Sequence, residues 1–198
     1  MHVDYYFTPV SPWAYLGHDR FAALVRATGA SVSVRPVDYG VVFPASGGLP
    51  LPKRAPQRQA YRLVELRRFS AHLGVPLEPQ PKHFPVPAEA AAHLVLAARQ
   101  QAGDLAALDL AGRLGRAVWA EGRNVADADT LRAIAQEAGL PDTVLAAAAT
   151  PEVAQAYAAC TQQALDAGVF GAPTYVVEGE LFWGQDRLDF LARRLGAA

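Results

Sequence analysis

Apolar residues change their period several times along this chain, and each change marks an element. His2 to Phe7 carries β-branched and aromatic weight over a strand's length. Ser11-Pro12 follows, a cap and then a proline at the first helical position, where its missing N–H costs nothing. A helix is predicted from Pro12 to Thr28. Val32, Val34 and Val37 alternate with polar partners, giving a second strand from Ser31 to Val37, and the βαβ connection makes the two strands parallel. Tyr39 to Pro56 is rich in Gly and Pro and reads as a long irregular loop. Beyond it Leu63, Leu66, Phe69 and Leu73 fall at near-helical spacing, with Arg58, Arg62, Glu65 and Arg68 on the other face. Gly74 supplies the stop, so a helix runs from Gln57 to Leu73.

A second proline-rich loop spans Val75 to Pro87. Alanine-dense runs then cover Ala88 to Gln101, Leu105 to Glu121, Asp129 to Ala138 and Pro141 to Ala149, each bounded by Gly, Pro, Asp or Asn. Interspersed Leu, Val, Ile and Trp119 make these packed helices rather than disorder. After a helix from Pro151 to Ala167, Thr174 to Val177 and Leu181 to Trp183 flank the Glu178-Gly179 turn as a hairpin, and Asp186 to Leu195 closes the chain as a short helix. The order β-α-β, helical block, α-β-β-α is that of an α/β, thioredoxin-like fold with a large all-helical insertion. Residues 1–38 and 151–198 would form the thioredoxin-like domain, and residues 39–150 the loop and inserted helices.

Composition narrows the function. With 52% hydrophobic residues in 198, the chain can bury a substantial core, and its net charge of -1 lacks the basic footprint of a nucleic-acid binder. No run reaches the roughly 20 apolar residues of a membrane span. Asp4, Pro9 and Pro12 interrupt the start, so no secretion signal is read and the expected setting is cytoplasmic. Cys160 stands alone, which excludes an internal disulfide, a C-x-x-C pair and a cysteine zinc cluster, and it is expected to be a small buried residue. His2, His18 and His72 have no partners at metal-ligand spacing, and His93, on an apolar helix, reads as a satisfied core histidine.

Two corners carry the chemistry. Ser11 is a good helix cap, and a helix N-terminus also offers unpaired N–H groups and partial positive charge to an anion, a thiolate included. Thiols at such sites fall from a pKa of about 8.5 to roughly 3.5–7.5. A serine there cannot be the thiol, but its O–H can be aimed at the sulfur of a bound one. Pro173 is either ordinary punctuation before a strand or half of a cis Ala172–Pro173 bond that offers the Ala172 backbone to an extended ligand. Gln185 and Asp186 open the last helix, where Asp186 is first a cap and second a partner for an ammonium group. Pro81-Lys82-His83-Phe84-Pro85 could line a pocket, although a lone histidine in a proline-rich loop is more often structural or exposed, and Trp13, Phe182 and Trp183 are candidate pocket walls with core packing an equal reading.

Ser-Pro-Trp-Ala-Tyr-Leu-Gly from Ser11, Val-Phe-Gly-Ala-Pro-Thr from Val169, and Phe-Trp-Gly-Gln-Asp-Arg-Leu from Phe182 together resemble the 2-hydroxychromene-2-carboxylate isomerase family. That family is similar to kappa-class glutathione transferases within the DsbA-like thioredoxin superfamily. The resemblance implies glutathione as cofactor, with Ser11 at its sulfur, Ala172 and Pro173 beside the cysteinyl backbone, and Gln185 and Asp186 at the γ-glutamyl end. It implies Lys53 for the glycyl carboxylate, although Lys53, Arg54, Arg58 and Arg62 read equally well as a solvated basic face. A homodimer is also implied. The chain departs from the family pattern at Thr8-Pro9, where an Asp-Phe pair is expected; this leaves the sulfur site intact and bears on the second substrate.

The function expected is therefore a glutathione-dependent isomerase. The bound thiolate adds to an activated double bond of an aromatic carboxylate, the new single bond rotates, and the thiol is expelled unconsumed. A kappa-like transferase and a catalytically silent binding module are the alternatives. Disulfide exchange fails because Ser11 and Ala14 occupy the two C-x-x-C positions.

Overall fold

The computed structural model describes residues 1–197, so Ala198, at the end of the expected 151–198 segment, lies outside the described residues. Four strands, β1 (His2–Phe7), β2 (Ser31–Pro36), β3 (Thr174–Val177) and β4 (Glu180–Trp183), form one sheet in the order β2-β1-β3-β4. β1 and β2 are parallel, as the βαβ reading requires, and β3 runs antiparallel to both β1 and β4. The β3–β4 turn places Glu178 and Gly179 at φ 50° and 84°, the positive values that a two-residue hairpin demands.

Side-chain alternation along β1 and β3 builds two cores. Val3, Tyr5, Phe7, Tyr175 and Val177 point into the larger one, while Tyr6 and Val176 point into the smaller. Tyr5 stacks on Phe7 at 4.6 Å and on Tyr175 at 5.3 Å, and Phe21 of α1 (Pro12–Thr28) closes against both tyrosines. The larger core continues into the inserted helices α4 (Glu89–Ala102), α5 (Asp104–Trp119), α6 (Ala128–Glu137) and α7 (Asp142–Ala148). Within it Trp119 is completely buried. α8 (Pro151–Asp166) returns the chain to the sheet, and its Cys160 is buried in the larger core.

Two local expectations are corrected. Tyr39–Ser46 is a helix, α2, and Leu51–Lys53 a 3-10 turn, where the sequence read as loop. Asp38 caps α2 by accepting the Gly40 N–H at 2.7 Å, and Tyr39 and Val42 are buried in the smaller core, so packing overrides the breakers Gly40 and Pro44. His93 is not a satisfied core residue: its Nε2 lies 4.0 Å from the exposed Glu89 carboxylate and has no hydrogen-bond partner. Its ring instead packs edge-on against Tyr157.

Candidate functional site

α1 begins where its sequence says it must. Ser11 is extended (φ -78°, ψ 123°), its Oγ accepts the Ala14 N–H at 3.2 Å, and Pro12 takes the first helical position. Ser11 is buried, with 7% exposed. Ala14 supplies a proton, so the serine hydroxyl keeps its own O–H to donate. β1 delivers this corner, and the pairing of Tyr6 with Thr174 sets the chain before β3 at the same end of the sheet.

That chain contains the cis Ala172–Pro173 bond on which the second reading of Pro173 depends. Hydrogen bonds fix the segment on both sides. Tyr39 Oη and Thr174 Oγ1 donate to the Gly171 carbonyl at 2.9 and 2.7 Å, and the Gly184 N–H donates to the Pro173 carbonyl at 2.8 Å. Burial holds the Tyr39 hydroxyl well above the ordinary phenol pKa, so it acts as a neutral donor.

Gly184, at φ 99°, turns the chain out of β4 into a 3-10 turn, Gln185–Arg187, and α9 (Leu188–Arg194) follows. Asp186 therefore lies inside the turn and caps no helix, a correction to its expected first role. It is half exposed and ion-paired with Arg187. Gln185 is buried, and Arg20 of α1 donates from Nη1 to its Oε1 at 3.1 Å and to its backbone carbonyl at 3.2 Å. This leaves the Gln185 amide N–H groups as the free end of the side chain.

Between these corners and α3 (Pro56–Leu73) opens a cleft of about 530 Å³. Trp13, Ala172, Trp183, Gln185 and Asp186 form one wall, and Arg58, Tyr61, Arg62, Glu65 and Phe69 the other. Ser11 lies two residues from Trp13 but, like Pro173, is not itself among the lining residues. Neither is Lys53, which ends its 3-10 turn exposed to solvent. Phe182 is core, so among the candidate aromatic walls it is Trp13 and Trp183 that line the space.

The basic face is not uniformly solvated. Arg58 is exposed, but Arg62 is turned inward with Leu66, only 9% exposed. Its guanidinium lies 5.4 Å from the Phe84 ring centre and 5.6 Å from that of Trp119. Among the described residues it makes no ion pair and no hydrogen bond. Burial, and after it Arg54, lowers its pKa to about 10, which still leaves it charged at neutral pH. Arg62, Leu66, Phe69 and Leu73 recur at i, i+4, i+7 and i+11, so the signal for an inward arginine was present in the spacing. Arg54, Arg58, Arg62 and Arg187 face this cleft against Glu65 and Asp186, which favours an anion. Arg20 and Tyr39, which position the site without lining it, carried no sequence signal.

Comparison with known proteins bears on this geometry. The family model of the DSBA-like thioredoxin domain matches residues 2–196. A 2-hydroxychromene-2-carboxylate isomerase of Sphingobium xenophagum is 30% identical over 191 residues, 96% of this chain and 95% of that one. Glutathione S-transferase kappa 1 of Caenorhabditis elegans is 30% identical over a shorter stretch of 80 residues, 40% of this chain and 35% of the other. The solved structure of a 2-hydroxychromene-2-carboxylate isomerase superposes with a TM-score of 0.84 at 25% identity, covering 99% of this chain and 95% of that one.

Proposed function

The chain belongs to the DsbA-like thioredoxin family, among enzymes of isomerase or transferase type related to 2-hydroxychromene-2-carboxylate isomerases, and from that premise we propose that it is a glutathione-dependent isomerase of an aromatic carboxylate. The observation that carries this reading is the Ser11 hydroxyl. It sits at the start of α1 with its proton uncommitted, at the sheet end that holds Ala172–Pro173, in a chain whose one cysteine is buried elsewhere.

The donor set fits the tripeptide. The free Gln185 amide and the half-exposed Asp186 carboxylate suit the two charges of a γ-glutamyl end, and the Ala172 backbone lies on the cleft wall for an extended peptide. Arg58, on the opposite wall, is better placed than Lys53 for a terminal carboxylate. Bound glutathione would supply a thiolate, a nucleophile that adds reversibly to an activated double bond. Ser11 holds and aims that sulfur, and the N–H groups of the first turn of α1 favour its negative charge. No histidine–carboxylate pair adjoins Ser11 in its hydrogen bonding, so the serine stabilises rather than attacks.

Isothermal titration with glutathione tests binding, and Ser11→Ala tests the mechanism. A charge-assisted hydrogen bond of roughly 1.5–3 kcal/mol corresponds to about one to two pKa units. S11A should raise the pKa of the bound thiol by that amount, read as thiolate absorbance against pH. An unchanged titration removes Ser11 from the mechanism, and absence of binding heat refutes the cofactor. The kappa-class similarity keeps a transferase as second reading; it would consume one glutathione per turnover, which product analysis distinguishes.

A further inference from the structure

Taking the second substrate of that reading as its starting point, we propose that Arg62 is the residue that selects an anionic aromatic substrate, by pairing with its carboxylate. Three features of the cleft lead here. First, Arg62 is a buried cation without a counter-charge: among the described residues no carboxylate lies within 4 Å of it, although Glu65, one turn along α3, faces the same cleft. A charge held in such a place gains most from an anion that arrives with the ligand, because the surrounding protein screens the pair less than water does.

Second, the guanidinium is held in place by the faces of Phe84 and Trp119, which themselves pack at 4.7 Å. Its hydrogen-bonding edges therefore have no competing partner, and a planar fork of that kind matches a carboxylate in two-point fashion. Third, the neighbouring wall is aromatic. Trp13, two residues from Ser11, meets Phe69 edge to face at 5.8 Å, and Phe69 lies two turns beyond Arg62 on the same helix. A flat ring laid against this aromatic wall would sit beside the Ser11 corner with its acid group toward Arg62. Arg58 and Arg54, nearer the start of α3, remain for the carboxylate of the tripeptide. Phe84 is thus a support for Arg62, a role distinct from the pocket wall expected of its proline-rich loop.

The test is calorimetric binding of 2-hydroxycinnamate and of its uncharged amide to the protein saturated with glutathione. The wild type should bind the acid at least tenfold more tightly than the amide. R62Q should lose roughly ten- to a hundredfold of acid affinity, as expected for a lost charge-assisted pair, while the amide and glutathione titrations stay within twofold. Should R62Q not fold, R62K, which keeps the charge without the planar fork, should lose about three- to tenfold of acid affinity with glutathione binding within twofold, and an R62K that binds the acid as the wild type does overturns the assignment. Equal affinity of the wild type for acid and amide overturns the assignment. So does an R62Q that weakens glutathione instead, which would make Arg62 a tripeptide contact. Absence of glutathione heat in the wild type, by contrast, overturns the cofactor reading and is separately visible.

Discussion

At the scale of single residues, what sets this cleft is as much the group behind the lining as the lining itself. Gln185 lines the cleft with its side-chain oxygen tied to Arg20, which also reaches Asp189 at 3.2 Å. The Asp189 contact is solvent-exposed and contributes little, so the effect of Arg20 should be felt through Gln185. Arg20→Met removes the two charge-assisted hydrogen bonds to Gln185, each of about 1.5–3 kcal/mol, together with the exposed one to Asp189, and frees Gln185 to rotate. Its KM for glutathione should rise about three- to tenfold with kcat changed less than twofold, and a fall in kcat at constant KM would contradict a positioning role. Asp186→Ala should show the same split more strongly, since there the charge proposed to meet the γ-glutamyl ammonium group is itself removed.

At the scale of elements, the close approach of α1 to the 3-10 turn decides the shape of the site. A Cβ built on Gly17 would lie 2.7 Å from the Gln185 Cβ and 3.4 Å from its Cα, so the space is closed by backbone and cannot be relieved by a rotamer change. Gly17→Ala should therefore destabilise by about 1–3 kcal/mol and weaken glutathione binding by pushing Gln185 outward. For a chain of this size each kcal/mol lowers Tm by roughly 2–4 °C, a shift that thermal unfolding resolves; an unaltered Tm would show that the turn has room. The reason for glycine at position 17 could not be read along the chain, because the residue it accommodates is far away in sequence. The same holds for α2, which Gly40 and Pro44 disguise and which only Tyr39 and Val42, buried against Tyr6 and Val176, explain. Elements whose signal is local were legible: the Ser11-Pro12 start of α1, the Glu178-Gly179 hairpin and the alternation of β1 all stand where the pattern put them. Arg62 lies between these cases. Its spacing with Leu66 was visible, but a charge on a buried stripe is read as surface until Phe84 and Trp119 are seen beneath it.

At the scale of the whole molecule, the sheet with its flanking α1 and the inserted helices share one core, and they meet both through α1 and through β2, where the Val34 N–H donates to Asp104 and Arg99 donates to the Val34 carbonyl. His18 marks the contact: it is buried in α1, and Gly112 of α5 lies so close that any side chain there would collide with its Nε2. Burial lowers the pKa of His18 below its ordinary 6.5; Asp19 and Asp109 pull it back up, and Arg26 pushes it further down. The folded protein thus keeps this imidazole neutral to lower pH than the unfolded chain does. Below about pH 6.5 the unfolded state binds the proton first, so stability falls as pH drops from there toward the folded pKa, while above pH 6.5 the residue adds no slope. His18→Asn, which cannot titrate, should accordingly lose less of its Tm between pH 7.5 and pH 5 than the wild type, whatever its Tm at pH 7.5. Parallel pH profiles for the two proteins would show that the junction between sheet and insert takes up no proton on unfolding. A flatter profile in the variant would place the acid-sensitive point of the fold at this junction, on the helix that begins with Ser11 and therefore on the support of the candidate sulfur site.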